Sequence, residues 1–66
     1  MELDEVIKTR RKELGISQLD LAEMAEISLA TVKDIERGKG NPSIGTVKKI
    51  INVLGLEMIF EVRKTV

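Results

Sequence analysis

The sequence predicts a mainly α domain: a bundle of four or five short helices followed by one C-terminal β-strand. Three observations carry this. Apolar residues recur at helical spacing in four stretches. Each stretch is opened or closed by a residue type that caps helices. The apolar period then shortens to two near the end of the chain. With 66 residues there is room for one domain, in which 1–55 forms the helical part and 56–66 the strand.

Helix one is predicted over about 3–14, where Leu3, Val6, Ile7 and Leu14 fall near one face. Glu2, Asp4 and Glu5 stand at its start and Lys8, Arg10, Arg11 and Lys12 toward its end, a polarity that suits the helix dipole. Gly15 follows as a left-handed cap. Ser17 opens helix two, about 18–25, with Asp20 three residues on as a short capping box. Leu19 and Ala22, with Leu21, are expected to face inward. Glu26 and Ile27 make a tight turn, and Ser28 caps helix three, 29–37, whose buried pair is Val32 and Ile35. Gly38 stops that helix, and 38–42 is a loop by composition. Ser43 caps helix four, 44–54, in which Val47, Ile50, Ile51 and Leu54 are apolar, and Gly55 ends it. The three serine caps are worth roughly 1 kcal/mol each.

In the tail, Met58, Phe60 and Val62 alternate with Glu57, Ile59, Glu61 and Arg63, which predicts the strand. A lone strand leaves backbone groups unpaired on both edges. The expected partner is the same strand of a second copy, antiparallel across a two-fold axis, with Met58, Ile59, Phe60, Glu61 and Val62 forming the dimer contact. Pairing centred near Phe60 sets Glu57 opposite Arg63 and Met58 opposite Val62. Such a homodimer also supplies core area that so small a domain lacks.

Composition narrows the function. The chain has no Cys and no His, which removes disulfides, thiolate metal sites, most zinc sites and the commonest acid–base catalyst. Its acids are spread over helix surfaces, so no enzyme and no cofactor are expected. Absent cysteine fits a reducing cytosol. No apolar run approaches the roughly 20 residues of a membrane span. The acidic N-terminus does not resemble a signal peptide. A cytoplasmic protein with no membrane partner is expected. Eleven basic residues balance eleven acidic ones, so any nucleic-acid affinity must come from local charge.

Two short helices joined by a tight turn and packed through small and aliphatic residues make the DNA-binding helix-turn-helix, whose second helix enters the major groove. Ala22 allows the two helices to approach closely, and Ile27, Val32 and Ile35 fill the wedge. The run from Ile16-Ser17-Gln18 through Leu21-Ala22 and Ala25, then Ile27-Ser28 through Ile35-Glu36-Arg37-Gly38, then Asn41-Pro42-Ser43, closely resembles the Cro/phage-repressor (Xre-type) regulators. The resemblance covers residues 11–56 and implies a lambda-repressor-like helical bundle. Its specificity lies in the joint spacing of Gln18, Ala22, Ile35-Glu36 and Gly38.

The resemblance implies roles position by position. Gln18 is similar to a residue that bonds a phosphate and braces the recognition helix. Leu29, Ala30, Thr31, Lys33 and Asp34 take the solvent-facing places of that helix. Arg37, Lys39 and Asn41 match backbone-contacting places in the following loop, and Arg11 with Glu36 a structural ion pair. Ser17 and Ser28 are first of all caps, with a phosphate contact as a second use. The implied function is a sequence-specific, dimeric repressor that reads a palindromic operator on double-stranded DNA at the nucleoid, with helix 29–37 in the major groove.

Three departures bear on this. Glu26 stands where the family usually has Gly, so a left-handed turn there would carry strain. Leu29 and Ala30 cannot hydrogen-bond base edges, though they can pack on a thymine methyl. Asp34 is an acid in the groove and needs a cytosine amino group, Lys33 or Arg37 as partner. Thr31 and Lys33 are therefore the better base-contact candidates. The basic run 8–12 is taken as mostly a solvated face, and Lys48 and Lys49 as surface charge. Residues 51–60 are also similar to the end of HipB-type antitoxins, which implies an alternative: an antitoxin that neutralises a toxin protein by direct binding and represses its own operon.

Overall fold

The computed structural model describes residues 2–64. Four helices follow in order: α1 (Leu3–Glu13), α2 (Gln18–Ala25), α3 (Leu29–Glu36) and α4 (Ile44–Leu54). Each of α1 and α2 packs against both α3 and α4. The shared core is Ile7 of α1, Leu21, Ala22 and Ala25 of α2, Val32 and Ile35 of α3, and Ile50 and Leu54 of α4. Ile16, Ile27, Leu29, Val53 and Leu56 close it from the connections and helix edges. Ile7, Leu21, Ile50 and Leu54 are fully buried, and each such aliphatic side chain contributes about 1.5–3 kcal/mol on leaving water.

The helix ends follow the capping chemistry of the sequence. Ser17, Ser28 and Ser43 each sit in extended backbone and accept the N–H three residues on through the hydroxyl. Asp20 completes the box by accepting the Ser17 N–H at 3.0 Å. Those bonds from Ser17, first the backbone N–H and then the side chain, hold the Asp20 carboxyl below its ordinary range against a smaller desolvation effect. Gly15 after α1 and Gly55 after α4 take φ of +70° and +69°, backbone that residues with a side chain rarely adopt.

Two expectations need correction. Leu19 is 51% exposed rather than core. At about 100° per residue, the stripe shared by Leu21, Ala22 and Ala25 lies more than 100° around α2 from Leu19. The apolar residues of so short a helix fit two stripes, and contact with α3 and α4 selects the one with the small alanines. Leu3 and Leu14 likewise remain 40% and 42% exposed, leaving Ile7 as the buried residue of α1.

The second correction concerns the tail. Among the described residues there is no strand: the Leu56 N–H closes the end of α4 on Ile51 O at 2.9 Å, and 57–64 belongs to neither helix nor strand, so the fold is all-α. Positions 65 and 66 of the expected strand lie outside the described residues. Alternation of side chains marks a segment that avoids the helix; it does not provide the backbone partner that makes a strand. Four helices offer no edge for it to join, and the proposed register around Phe60 falls with the strand. Leu56 and Met58 are half-buried, whereas Ile59, Phe60 and Val62 are 70%, 80% and 101% exposed.

Candidate nucleic-acid interface

The unit α2–turn–α3 is held rigid from behind. Glu26 takes φ 57° and ψ 46°, the one non-glycine residue with positive φ among the described residues. Its N–H reaches Ala22 O and Glu23 O, and the Ile27 N–H reaches Ala22 O at 3.0 Å, so the end of α2 is satisfied by the turn. Ile27 packs half-buried on the core. Ser28 then starts α3: it accepts the Thr31 N–H at 3.1 Å, and its hydroxyl lies 2.7 Å from the Thr31 hydroxyl.

A buried polar network ties α3 to the first two helices. Arg11 Nε donates to Glu36 Oε2 at 2.7 Å and Arg11 Nη2 to Glu36 Oε1 at 3.0 Å, a two-pronged fit of guanidinium to carboxylate. Arg11 Nη1 donates to Ile16 O at 2.8 Å, and Gln18 Nε2 donates to Glu36 Oε1 at 3.2 Å. The Glu36 side chain is 1% exposed. Burial alone would raise its pKa; hydrogen bonds from Arg11 and Gln18, with the charges of Arg11 and Lys8, more than offset this and hold it below the ordinary carboxylate range. The Arg11 guanidinium is in turn held more firmly protonated by its bond to Glu36. Because Glu36 only accepts, the Gln18 amide must present its nitrogen to it.

The outward face of α3 is thereby fixed. Ala30 and Lys33 are exposed; Thr31 and Asp34 are half-exposed and line a groove of about 310 Å³ with Lys39, Asn41 and Thr46 at the start of α4. Leu29 is half-buried against the core, so it stands only partly on this face. Asp34 is paired with Arg37. Lys39 and Asn41 are exposed on the loop that follows, and the Lys39 N–H bonds Asp34 O at 2.8 Å. Lys33 is exposed on the outward side of α3, and Arg37 and Lys39 are exposed just beyond its end, with Arg37 engaged by Asp34. Among the described residues, no three acidic, His or Cys side chains are grouped so as to hold a metal.

The chain matches the helix-turn-helix family over residues 7–60. It belongs to that family, in its Cro/phage-repressor branch. This helix-turn-helix chain is 38% identical over 58 residues to the immunity repressor protein of Bacillus phage phi105, a match covering 88% of this chain and 40% of the phage protein. It is 36% identical over 56 residues to the HTH-type transcriptional regulator DdrOP3 of Deinococcus deserti, covering 85% of this chain and 43% of the regulator. An uncharacterized HTH-type transcriptional regulator of Methanothermobacter thermautotrophicus is 35% identical over 57 residues, 86% of this chain and 83% of that protein. The chain therefore spans less than half the length of the first two relatives.

One structural contact of this domain has no counterpart in the expectations from sequence. Arg10 Nε donates to Leu54 O at 2.9 Å, so a residue taken for solvated charge instead satisfies the last turn of α4. Cations are favoured at a helix C-terminus, where they offset the partial negative charge of the unpaired carbonyls. The available signal was spacing: Arg10 lies three residues after buried Ile7, on the inward side of α1.

Proposed function

We propose that this helix-turn-helix chain is a sequence-specific, non-enzymatic DNA-binding regulator, and that it represses transcription by occupying promoter DNA. The observation that carries the proposal is the outward side of α3, where exposed Lys33 is followed by exposed Arg37 and Lys39, on a helix whose back is buried at Val32, Ile35 and Glu36. With α3 in the major groove, Lys33 and Thr31 approach base edges. Gln18, Ser28, Arg37, Lys39 and Asn41 meet the phosphates, while Ala30 and the exposed edge of Leu29 offer contacts to thymine methyls. This reading also gives it a cytoplasmic, nucleoid location; no helix among the described residues is long and apolar enough to cross a membrane.

The acting unit we propose is a homodimer on a two-fold operator, joined through the apolar tail residues 58–62. The chain exposes 5138 Å². A compact monomer of 7.4 kDa would expose about 4200 Å². The excess, roughly 900 Å², is about one partner's share of a standard interface. The Cα radius of gyration of 12.5 Å also exceeds the roughly 11 Å of a compact chain this long, as a projecting tail requires. Two copies double the phosphate contacts, which compensates for the zero net charge. A toxin protein is the other occupant such a tail could take. Co-purification with the product of a neighbouring gene, in place of self-association, assigns that alternative. Mobility shift on the DNA upstream of the gene tests the regulator reading: a salt-sensitive complex supports it, and no complex with any upstream fragment rejects it.

A further inference from the structure

Asp34 holds an unusual place. At about 100° per residue, Ala30 and Asp34 lie on the side of α3 opposite buried Val32, at the centre of the outward face. The acid therefore stands where a recognition helix meets base edges. Its Oδ1 accepts from Arg37 Nη2. Arg37 sits just past α3, with its N–H 3.2 Å from Asp34 O, and the Lys39 N–H bonds the same carbonyl. The backbone at Asp34 thus shapes the loop, while its side chain engages the cation of that loop. Both side chains stay open, 49% and 62% exposed for Asp34 and Arg37. An ion pair this exposed contributes little to folding, so stability does not account for it.

We infer that Asp34 is a specificity-determining residue that stands in for a DNA phosphate: it occupies Arg37 in the free protein and releases it only to DNA that also satisfies the carboxylate. The inference rests on the DNA-binding reading above. Arg37 exchanges a weak exposed partner for a phosphate, gaining charge-assisted bonds and counterion release. The abandoned carboxylate is then desolvated within the field of the phosphates, a costly state for an unpaired charge. In the major groove the donor suited to an acid is the N4 amino group of cytosine. A site with cytosine at that place pairs Asp34; other sequences leave it unpaired. The acid lowers affinity for DNA in general and makes release of Arg37 conditional on sequence.

In vitro selection with the wild-type chain supplies the preferred duplex, and binding to it and to random-sequence duplex is measured for Asp34→Asn, Asp34→Ala, Arg37→Ala and the Asp34→Ala/Arg37→Ala double variant. The expected result is that both Asp34 variants bind random duplex tighter than the wild type at low salt, with the gain shrinking as salt rises. Their preference for the selected duplex falls about tenfold, the scale of one base-edge contact. A second selection with Asp34→Ala loses a cytosine that the wild type fixes, and the gain on random duplex shrinks when Arg37 is absent. The Arg37 Nε–H resonance shifts on Asp34→Ala in the free protein, a readout independent of DNA, and helicity by circular dichroism stays unchanged. Wild-type binding with unchanged affinity and base preference in both Asp34 variants overturns the inference alone. No salt-sensitive binding by the wild type overturns the DNA-binding reading and the inference together.

Discussion

Glu36 at the end of α3 accepts both Nε and Nη2 of Arg11 in α1, at 2.7 and 3.0 Å, with the Glu36 side chain 1% exposed. The pair also receives the Gln18 amide, so one carboxylate sets the position of three helices. A buried ion pair is weak support for stability in itself, but removing one partner leaves an uncompensated charge. Glu36→Ala is therefore expected to cost about 3 kcal/mol, enough to unfold much of so small a domain. Replacing both partners, Arg11→Met with Glu36→Leu, is expected to cost less than Glu36→Ala alone. Urea denaturation of the two variants checks the order. If they are equally destabilised, the desolvated-charge account of this pair is wrong.

Acid should act through the same residue. The carboxyls of Glu36 and Asp20 are held below their ordinary range in the folded chain. Their contribution to stability is complete above the unfolded carboxylate pKa, about 4, and is lost as pH falls through the lower folded values. With no histidine, the chain has no side chain with an unperturbed pKa between pH 5 and 8. Stability from a urea series should be flat over that interval and fall below about pH 4, with a shallower fall in Glu36→Gln. An equally steep fall in that variant removes Glu36 from the account.

The turn carries a local strain that can be relieved. Glu26 holds a left-handed conformation at φ 57°. Glycine there loses the Cβ clash but adds backbone freedom to the unfolded chain, so Glu26→Gly is expected to stabilise by up to about 1 kcal/mol. That corresponds to a rise in Tm of about 4–8 °C per kcal/mol for a domain of this size. Calorimetry checks it, and a lowered Tm would show that Glu26 makes a compensating contact.

The tail is expected to govern assembly without governing the fold. Phe60 is 80% exposed, so Phe60→Asp should leave helicity and thermal stability nearly unchanged. Self-association by light scattering should weaken, and DNA affinity should fall with it because the second set of phosphate contacts is lost. A variant that self-associates as the wild type does would exclude residues 58–62 as the dimer contact.

Local chemistry was the legible part of the sequence. Ser17, Ser28 and Ser43 announce three helix starts because their caps form within three residues, and Gly15 and Gly55 announce two ends. The spacing from Gln18 to Gly38 and the family's joint pattern made the helix-turn-helix itself legible, and the family match over residues 7–60 agrees. What stayed hidden depends on contacts distant in the chain. The choice of Leu21 over Leu19 is made by the surfaces of α3 and α4, and the role of Arg10 by a carbonyl 44 residues away. The tail misled for a related reason: its alternation is local, whereas a strand needs a partner that the helices do not supply.

DNA is proposed to lie against the outward face of α3 and the loop that follows it. The most direct test is the salt dependence of binding to the selected duplex for wild type, Lys33→Ala and Arg37→Ala, with folding verified by circular dichroism. The wild type should bind in a salt-sensitive manner. Each variant should weaken binding, and Arg37→Ala should lower the slope of log K against log salt by about one per lost phosphate contact. Folded variants that bind as tightly as the wild type, with the same slope, would contradict it.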